Sequence, residues 1–339
     1  MKKTVTMMLA FTFMLILSSS LLAQSVGDYR TRANVATPPS GSETITILST
    51  DSIFVNAPVS ITGTLINQGI VEPVDSLTIT FANGGTYQHD RDGGSIPQSI
   101  WAEGSTLLLT GVTTTAPNDR DQDYHNLTFN TPGLLSNLNM NLNGNTIGGD
   151  VHVITTGTTN RWYLTTALAT DTAIVTIMGD VIMEAGQFSV QGTSNAQTVF
   201  EVHHYGNIVV TGGNFSIARG SQAGGKTTWH LYEGNFSMSN ATTQNSNATP
   251  GGAKFVFAKA GTQTLTLGTG NTLTALPIEV SSGTTLDMGA GVLAGSGTFT
   301  VNEGATLLTA LVGGVDQVMD STAPLRKSQV RACQPPSPI

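Results

Sequence analysis

The chain has 339 residues, of which only 11% are charged where about a quarter is usual; it carries 51 Thr and 38 Gly, 6% aromatics and a single Cys. β-Branched Thr fits a pleated strand, Gly supplies turns, and helix-forming Glu, Lys and Arg are scarce, so an α/β enzyme architecture is excluded. Cys333 has no partner within the chain, which excludes a disulfide scaffold.

The few charges are unevenly spread. Lys2 and Lys3 open the chain and Arg326, Lys327 and Arg331 stand near its end, leaving nine basic and 22 acidic residues in 24–323, a balance of 9 − 22 = −13. Nucleic acids and anionic membranes demand clustered Lys and Arg, so neither is an expected partner.

Residues 1–23 have the build of a secretory signal. Lys2 and Lys3 form the positive start, residues 7–17 are apolar apart from Thr12, and Ala23 offers a small residue before Gln24. The apolar run falls short of the roughly 20 residues that span a bilayer, and no later stretch replaces it. The expected product is exported, with no membrane span in the mature chain, and secreted or held at the cell surface.

Residues 24–42, with Pro38, Pro39 and Gly41, are expected to be a lead-in loop. Short runs of period-two alternation follow: Glu43-Thr-Ile-Thr-Ile-Leu48, Asp51-Ser-Ile-Phe-Val55, Val59-Ser-Ile-Thr-Gly63, Ser76-Leu-Thr-Ile-Thr-Phe81 and Leu138-Asn-Met-Asn-Leu-Asn143. Each ends in turn formers. Gly149-Asp150-Val151, Gly179-Asp180-Val181, Gly206-Asn207-Ile208 and Gly234-Asn235-Phe236 then recur, with third residues 30, 27 and 28 positions apart. A second signature, Glu103-Gly-Ser-Thr-Leu107, returns as Gly283-Thr-Thr-Leu286 and Glu303-Gly-Ala-Thr-Leu307.

Such a period means a solenoid, a propeller or an array of small domains. A propeller blade needs about 40 residues and a sandwich domain about 100, whereas about 28 residues hold three short strands and their turns. The expected fold is all-β, a right-handed parallel β-helix (β-solenoid) over residues 43–315, its hand following the general preference of parallel crossovers. Asp150, Asp180, Asn207 and Asn235 should stack in one column, each bonding its own turn with left-handed backbone. Residues 316–339 are expected to be a disordered tail. The last sixteen carry four Pro, three basic groups and the only Cys, a composition with no strand signal that points to an interrupted reading frame or clipped gene end.

Several stretches taken together carry a resemblance: Val26-Gly-Asp-Tyr-Arg30, Gly84-Gly-Thr-Tyr-Gln-His-Asp-Arg-Asp-Gly-Gly-Ser-Ile-Pro97 with Trp101, Leu109-Thr-Gly-Val-Thr113, and His125-Asn-Leu-Thr-Phe-Asn130 with Pro132. With the Gly-Asp-Val and Gly-Asn-Phe turns they resemble a family of large bacterial exported β-helix surface proteins, over about residues 26–315. The resemblance implies an adhesin-like or matrix-type role and carries no catalytic residues across. Such proteins often finish in a type IX sorting domain, a pattern from which residues 324–339 depart, and the lead-in is shorter than usual.

Four sets of residues invite a chemical reading. Asp119, Asp121 and Asp123 have the spacing with which calcium loops open, but Tyr124 and Asn130 stand where the completing Gly and Glu belong. His89, Asp90 and Asp92 lack a second His cluster. His203 and His204 are adjacent, so a strand would send one inward and one outward. Trp162, Tyr163, Tyr205 and Trp229 are candidates for a sugar-stacking strip, with core packing the favoured alternative. A β-helix lyase needs carboxylates holding a cation plus a basic residue, and a glycosidase needs two opposed carboxylates; neither set is legible, nor is a nucleophile triad or a phosphate cradle. The reading is therefore a non-catalytic, extracellular or cell-surface structural module, with no catalytic, metal or cofactor residues assigned, whose partners are glycans or neighbouring surface proteins; the alternative is a β-helix carbohydrate-active enzyme or glycan-binding protein.

Overall fold

The computed structural model describes residues 38–165, 172–192, 199–219, 226–245, 252–268, 271–274, 276–293, 297–311 and 325–327. The expected signal and most of the lead-in lie outside them. Every regular element among the described residues is a strand, and neighbouring strands pair in parallel. The chain is a β-solenoid, as its repeats predict.

A twelve-stranded sheet runs the length of the shaft with one strand per coil. Thr44 pairs with Thr64, Thr64 with Thr86, Thr86 with Thr106 and Thr106 with Asn126, steps of 20, 22, 20 and 20 residues. Leu127 to Val151 is a step of 24; then Val151, Val181, Ile208, Phe236 and Leu265 follow at 30, 27, 28 and 29. The last steps, Gly261 to Thr284 and Thr285 to Thr306, shorten to 23 and 21. The repeat of 27–30 residues thus belongs to the middle of the shaft. There the extra residues build a six-stranded sheet, beginning at Leu138–Asn139, and an eight-stranded sheet, beginning at Thr146–Ile147. In the first coils a two-stranded and a three-stranded sheet take these sides.

Alternation puts every second side chain inside, where like stacks on like. One column of the long sheet runs Leu65, Tyr87, Leu107, Leu127, Val151, Val181, Ile208, Phe236 and Leu265. Phe129, Trp162, Phe188, Phe215 and Trp229 form an aromatic succession with ring centroids 5.2–6.3 Å apart. All these residues belong to a single buried core.

The Gly-Asp and Gly-Asn pairs hold the coils in register. Asn126 Oδ1 accepts the backbone N–H of Asp150 at 2.9 Å, Asp150 Oδ1 that of Asp180 at 2.7 Å, Asp180 Oδ1 that of Asn207 at 2.7 Å, Asn207 Oδ1 that of Asn235 at 3.0 Å, and Asn235 Oδ1 that of Thr264 at 2.8 Å. The column expected from the sequence exists, but its bonds differ from the expectation. The described non-glycine residues with positive φ are Asp119, Asn141 and Asn240, so the ladder residues are not left-handed. Each side chain reaches to the next coil because that coil's N–H, at an outward corner, is left free by the sheet hydrogen bonds.

The glycines beside them lie backbone on backbone. A Cβ on Gly206 would fall 2.0 Å from the Gly179 carbonyl oxygen, and one on Gly234 would fall 1.9 Å from that of Gly206. At the next coil the position passes to Gln263, whose Nε2 donates to the Leu231 and Gly234 carbonyls at 3.1 and 2.8 Å.

The tail departs from its expectation at one place. Leu325–Lys327 forms a strand in parallel register with Phe299–Val301, adding to the eight-stranded sheet. The exposed ladder groups of the last strand template any short extended segment that reaches them, and these three residues lie past Pro324 and before the later prolines. The rest of 316–339 lies outside the described residues.

Gly206→Ala should destabilise the protein by about 1–3 kcal/mol, since backbone on both sides cannot give way. Gly133→Ala, where the nearest atom is Thr113 Cγ2 at 3.8 Å, should be close to neutral in the same melting experiment. Asp180→Asn keeps the acceptor oxygen and should leave the melting temperature nearly unchanged. Asp180→Ala removes the bonds from Asn207 N and Nδ2 and should cost about 1–3 kcal/mol.

Candidate functional site

Most of the ligand-type residues singled out by the sequence are used by the fold. His89 points inward and is fully buried. Its Nε2 lies 2.8 Å from the Gly93 carbonyl and its Nδ1 3.5 Å from the Tyr87 hydroxyl, which in turn accepts from Asn67 Nδ2 at 2.7 Å. Asp92 faces out. Its Oδ1 accepts the N–H groups of Thr113, Thr114 and Thr115 at 2.8, 2.7 and 2.9 Å, and its Oδ2 the Thr114 hydroxyl. Partial burial would raise this carboxyl, but those four hydrogen bonds prevail and hold it far below the ordinary range. His89 and Asp92 are therefore not brought together. Among the described residues no three His, Cys, Asp or Glu side chains form a group able to hold a metal ion.

His203 and His204 divide as strand geometry demands. His204 is fully buried: Nε2 donates to the Gly179 carbonyl at 2.8 Å, and Nδ1 accepts from Trp229 Nε1 at 3.4 Å. Trp162 and Trp229 are fully buried core residues, which removes them from any sugar-stacking strip. Tyr205 is exposed, and its actual companions are residues that the sequence did not single out, Tyr232 and His230, one coil further on.

These side chains share the outward face of the eight-stranded sheet. Thr146, Thr176, His203 and His230 occupy one register position on four successive strands. The Tyr205 and Tyr232 rings stack at 5.4 Å with 27° between their planes, and the His230 ring lies nearly parallel to Tyr232 at 5.7 Å. His203 stands edge-on to both His230 and Tyr232, and its Nε2 meets Glu201 Oε2 at 3.1 Å. Burial lowers the His230 pKa, opposed by the Glu201 charge and assisted by His203 and Lys254, so this imidazole favours the neutral form.

The same side of the shaft carries a groove of about 450 Å³, lined by Gln98, Ser99, Ile100, Trp101, Asp121, Gln122, Asp123 and Asn145. It opens where the ladder is interrupted. Ile100–Trp101 ends the three-stranded sheet, and the eight-stranded sheet starts only at Thr146–Ile147. The interior is continuous across the break: Trp101 and Tyr124 meet edge to face at 5.0 Å, and Tyr124 bridges to Ile147. Gln122 forms the floor, its Oε1 accepting from Ser99 N at 3.1 Å and Trp101 Nε1 at 3.0 Å. Asp123 Oδ1 accepts from Thr146 N at 2.8 Å and Asn145 Nδ2 at 3.2 Å. Asp121 is exposed, and its carboxylate has no hydrogen-bond partner among the described residues. The Asp119, Asp121 and Asp123 run is thus a groove wall. With about 4.8 Å between strands, the three steps from Thr146 to His230 cover roughly 14 Å. One face therefore offers an amide and carboxylate groove, a Thr flat and a Tyr–His platform in line along the axis.

Comparisons with family models, with curated proteins and with solved structures find no match to this chain.

The two interior histidines make acid stability predictable. Burial, the largest influence, brings both His89 and His204 down from 6.5 to about 4, against the opposing hydrogen bonds to the Gly93 and Gly179 carbonyls. A depressed folded-state pKa means that the unfolded chain takes up protons first, so the stability is fully present above about 6.5 and lost progressively as pH falls towards 4. Melting temperature should drop across that window, and His204→Gln should give a shallower drop than the native chain.

Proposed function

We propose that the protein is an exported, non-catalytic adhesin-like module that works by contact, and that the face carrying Tyr205, Tyr232, His203 and His230 is its glycan-binding surface. The observation that carries this reading is the exposed, stacked Tyr205–Tyr232 pair standing in line with the groove. Aromatic faces pack on the apolar faces of sugar rings, and carboxylates, amides and hydroxyls take up sugar hydroxyls at fixed positions. Asp121, Asn145, Ser99 and Gln98 supply such groups without strong charge. A rigid shaft needs no induced fit, and a polymer laid along it meets groove and platform together. The signal-like start of the sequence supports export, and the low charge of the body suits contact with neutral polymers. Residues 121 and 123 place two carboxylates at the groove, which favours a carbohydrate-active enzyme as the second reading.

Full-length protein titrated against immobilised neutral polysaccharides should bind saturably. Tyr205→Ala with Tyr232→Ala should weaken that binding roughly tenfold or more while the melting temperature stays within a few degrees. Equal binding by the double variant would refute the assigned face, and turnover of any bound polymer, abolished by Asp121→Asn, would establish the enzyme.

A further inference from the structure

The outward side of the six-stranded sheet carries a second constellation, built from residues 58 positions apart in the sequence. Trp162 turns inward, so its neighbours Arg161 and Tyr163 turn outward. Tyr163 lies across the following coil: a Cβ on Gly192 would fall 2.2 Å from its ring, so glycine is what lets the phenol settle there. Arg219 comes from one coil further, its N–H bonded to the Gln191 carbonyl at 2.9 Å. Tyr163 is thereby flanked by two guanidinium groups.

These cations are unusual in their company. Arg161 is only 5% exposed; its Nη2 donates to Gln187 Oε1, but its buried Nη1 has no hydrogen-bond partner. Arg219 Nη1 donates to the Gln244 carbonyl at 2.6 Å, a neutral acceptor. Ion pairs among the described residues join His152 to Glu184, His203 to Glu201, Lys254 to Glu279 and Lys259 to Glu233, and neither arginine takes part. A buried guanidinium without a counter-charge is costly, and a second one beside it adds repulsion. Burial and the Arg219 charge together lower Arg161 to about 10, opposed only by Tyr163. In a body with an excess of acidic side chains, none has been placed against this pair.

We propose that Arg161, Tyr163 and Arg219 form an oxyanion-binding site that takes a carboxylate or sulfate-type group of an acidic ligand. Arg161 Nη1 is the buried donor, Arg219 the second charge at the rim, and the Tyr163 hydroxyl a neutral donor between them. Guanidinium forks match the paired oxygens of both anion types. The site lies on a different sheet from the Tyr205–Tyr232 pair and is independent of the glycan reading.

The test is thermal melting of the full chain at constant ionic strength set with chloride, titrated with low-millimolar sulfate, phosphate, acetate or glucuronate. At these concentrations general salt effects on the folded state are small, and a specific ligand gives a saturable rise. The expected result is such a rise with at least one of the four, weakened tenfold or more in apparent affinity by Arg219→Gln and by Arg161→Gln. A response to sulfate and phosphate assigns a tetrahedral group; one to acetate and glucuronate assigns a carboxylate. Arg219 is only partly buried, so its variant keeps the test valid should Arg161→Gln fail to fold. Absence of a saturable rise in the native chain, or an equal rise in Arg219→Gln, would overturn the proposal.

Discussion

The shaft depends on one constraint: each coil must present bare backbone to the next at the corner where the Gly-Asp and Gly-Asn pairs stand. Parallel strand pairing alone tolerates sliding, because a ladder of like residues is satisfied in more than one register. The side-chain oxygens of Asn126, Asp150, Asp180, Asn207 and Asn235 remove that freedom, since each finds its N–H only when the next coil sits in a single position. Glycine is required beside them for the same reason. With the carbonyl of one coil about 2 Å from where the next Cβ would be, no other residue fits. The inward columns and the outward faces both inherit their alignment from this corner.

Alignment is what turns a chain poor in charge into a surface with chemistry. Tyr205 and Tyr232 are 27 residues apart and stack because one coil step is 27 residues there; His203 and His230 meet for the same reason. Where the step changes, the surface changes too. The short early coils end one sheet at Trp101 and the long middle coils begin another at Thr146, and the mismatch leaves the groove between them.

Strand positions, the solenoid itself, the Asp and Asn column and the division of His203 from His204 were all legible in the sequence, because each rests on spacing along the chain. What escaped depends on spacing across it. No shared turn motif marks the early coils, so their steps of 20–22 residues were invisible beside the repeat of 27–30. Trp162 and Trp229 read as possible sugar platforms because alternation fixes only that neighbours differ, leaving open which of the two faces the core. Tyr232 and His230 were passed over since nothing near them in sequence hints at Tyr205 and His203. The ladder was foreseen as a column but assigned to local turns, because the partner N–H lies on another coil.

The residue that ends the glycine column carries a consequence for how such a chain could lengthen. Between Asn126 and Thr264 every Gly-Asx pair meets the same neighbours above and below, so a duplicated segment of one coil inserted there would find its partners ready. At Gln263 a full side chain occupies the glycine position and closes on the carbonyl of Gly234. A duplication placed beyond it would meet an amide where the pattern asks for bare backbone. Growth by copying is open within the middle of the shaft and blocked past Gln263, which makes that single glutamine the boundary between a repeating series and a fixed end.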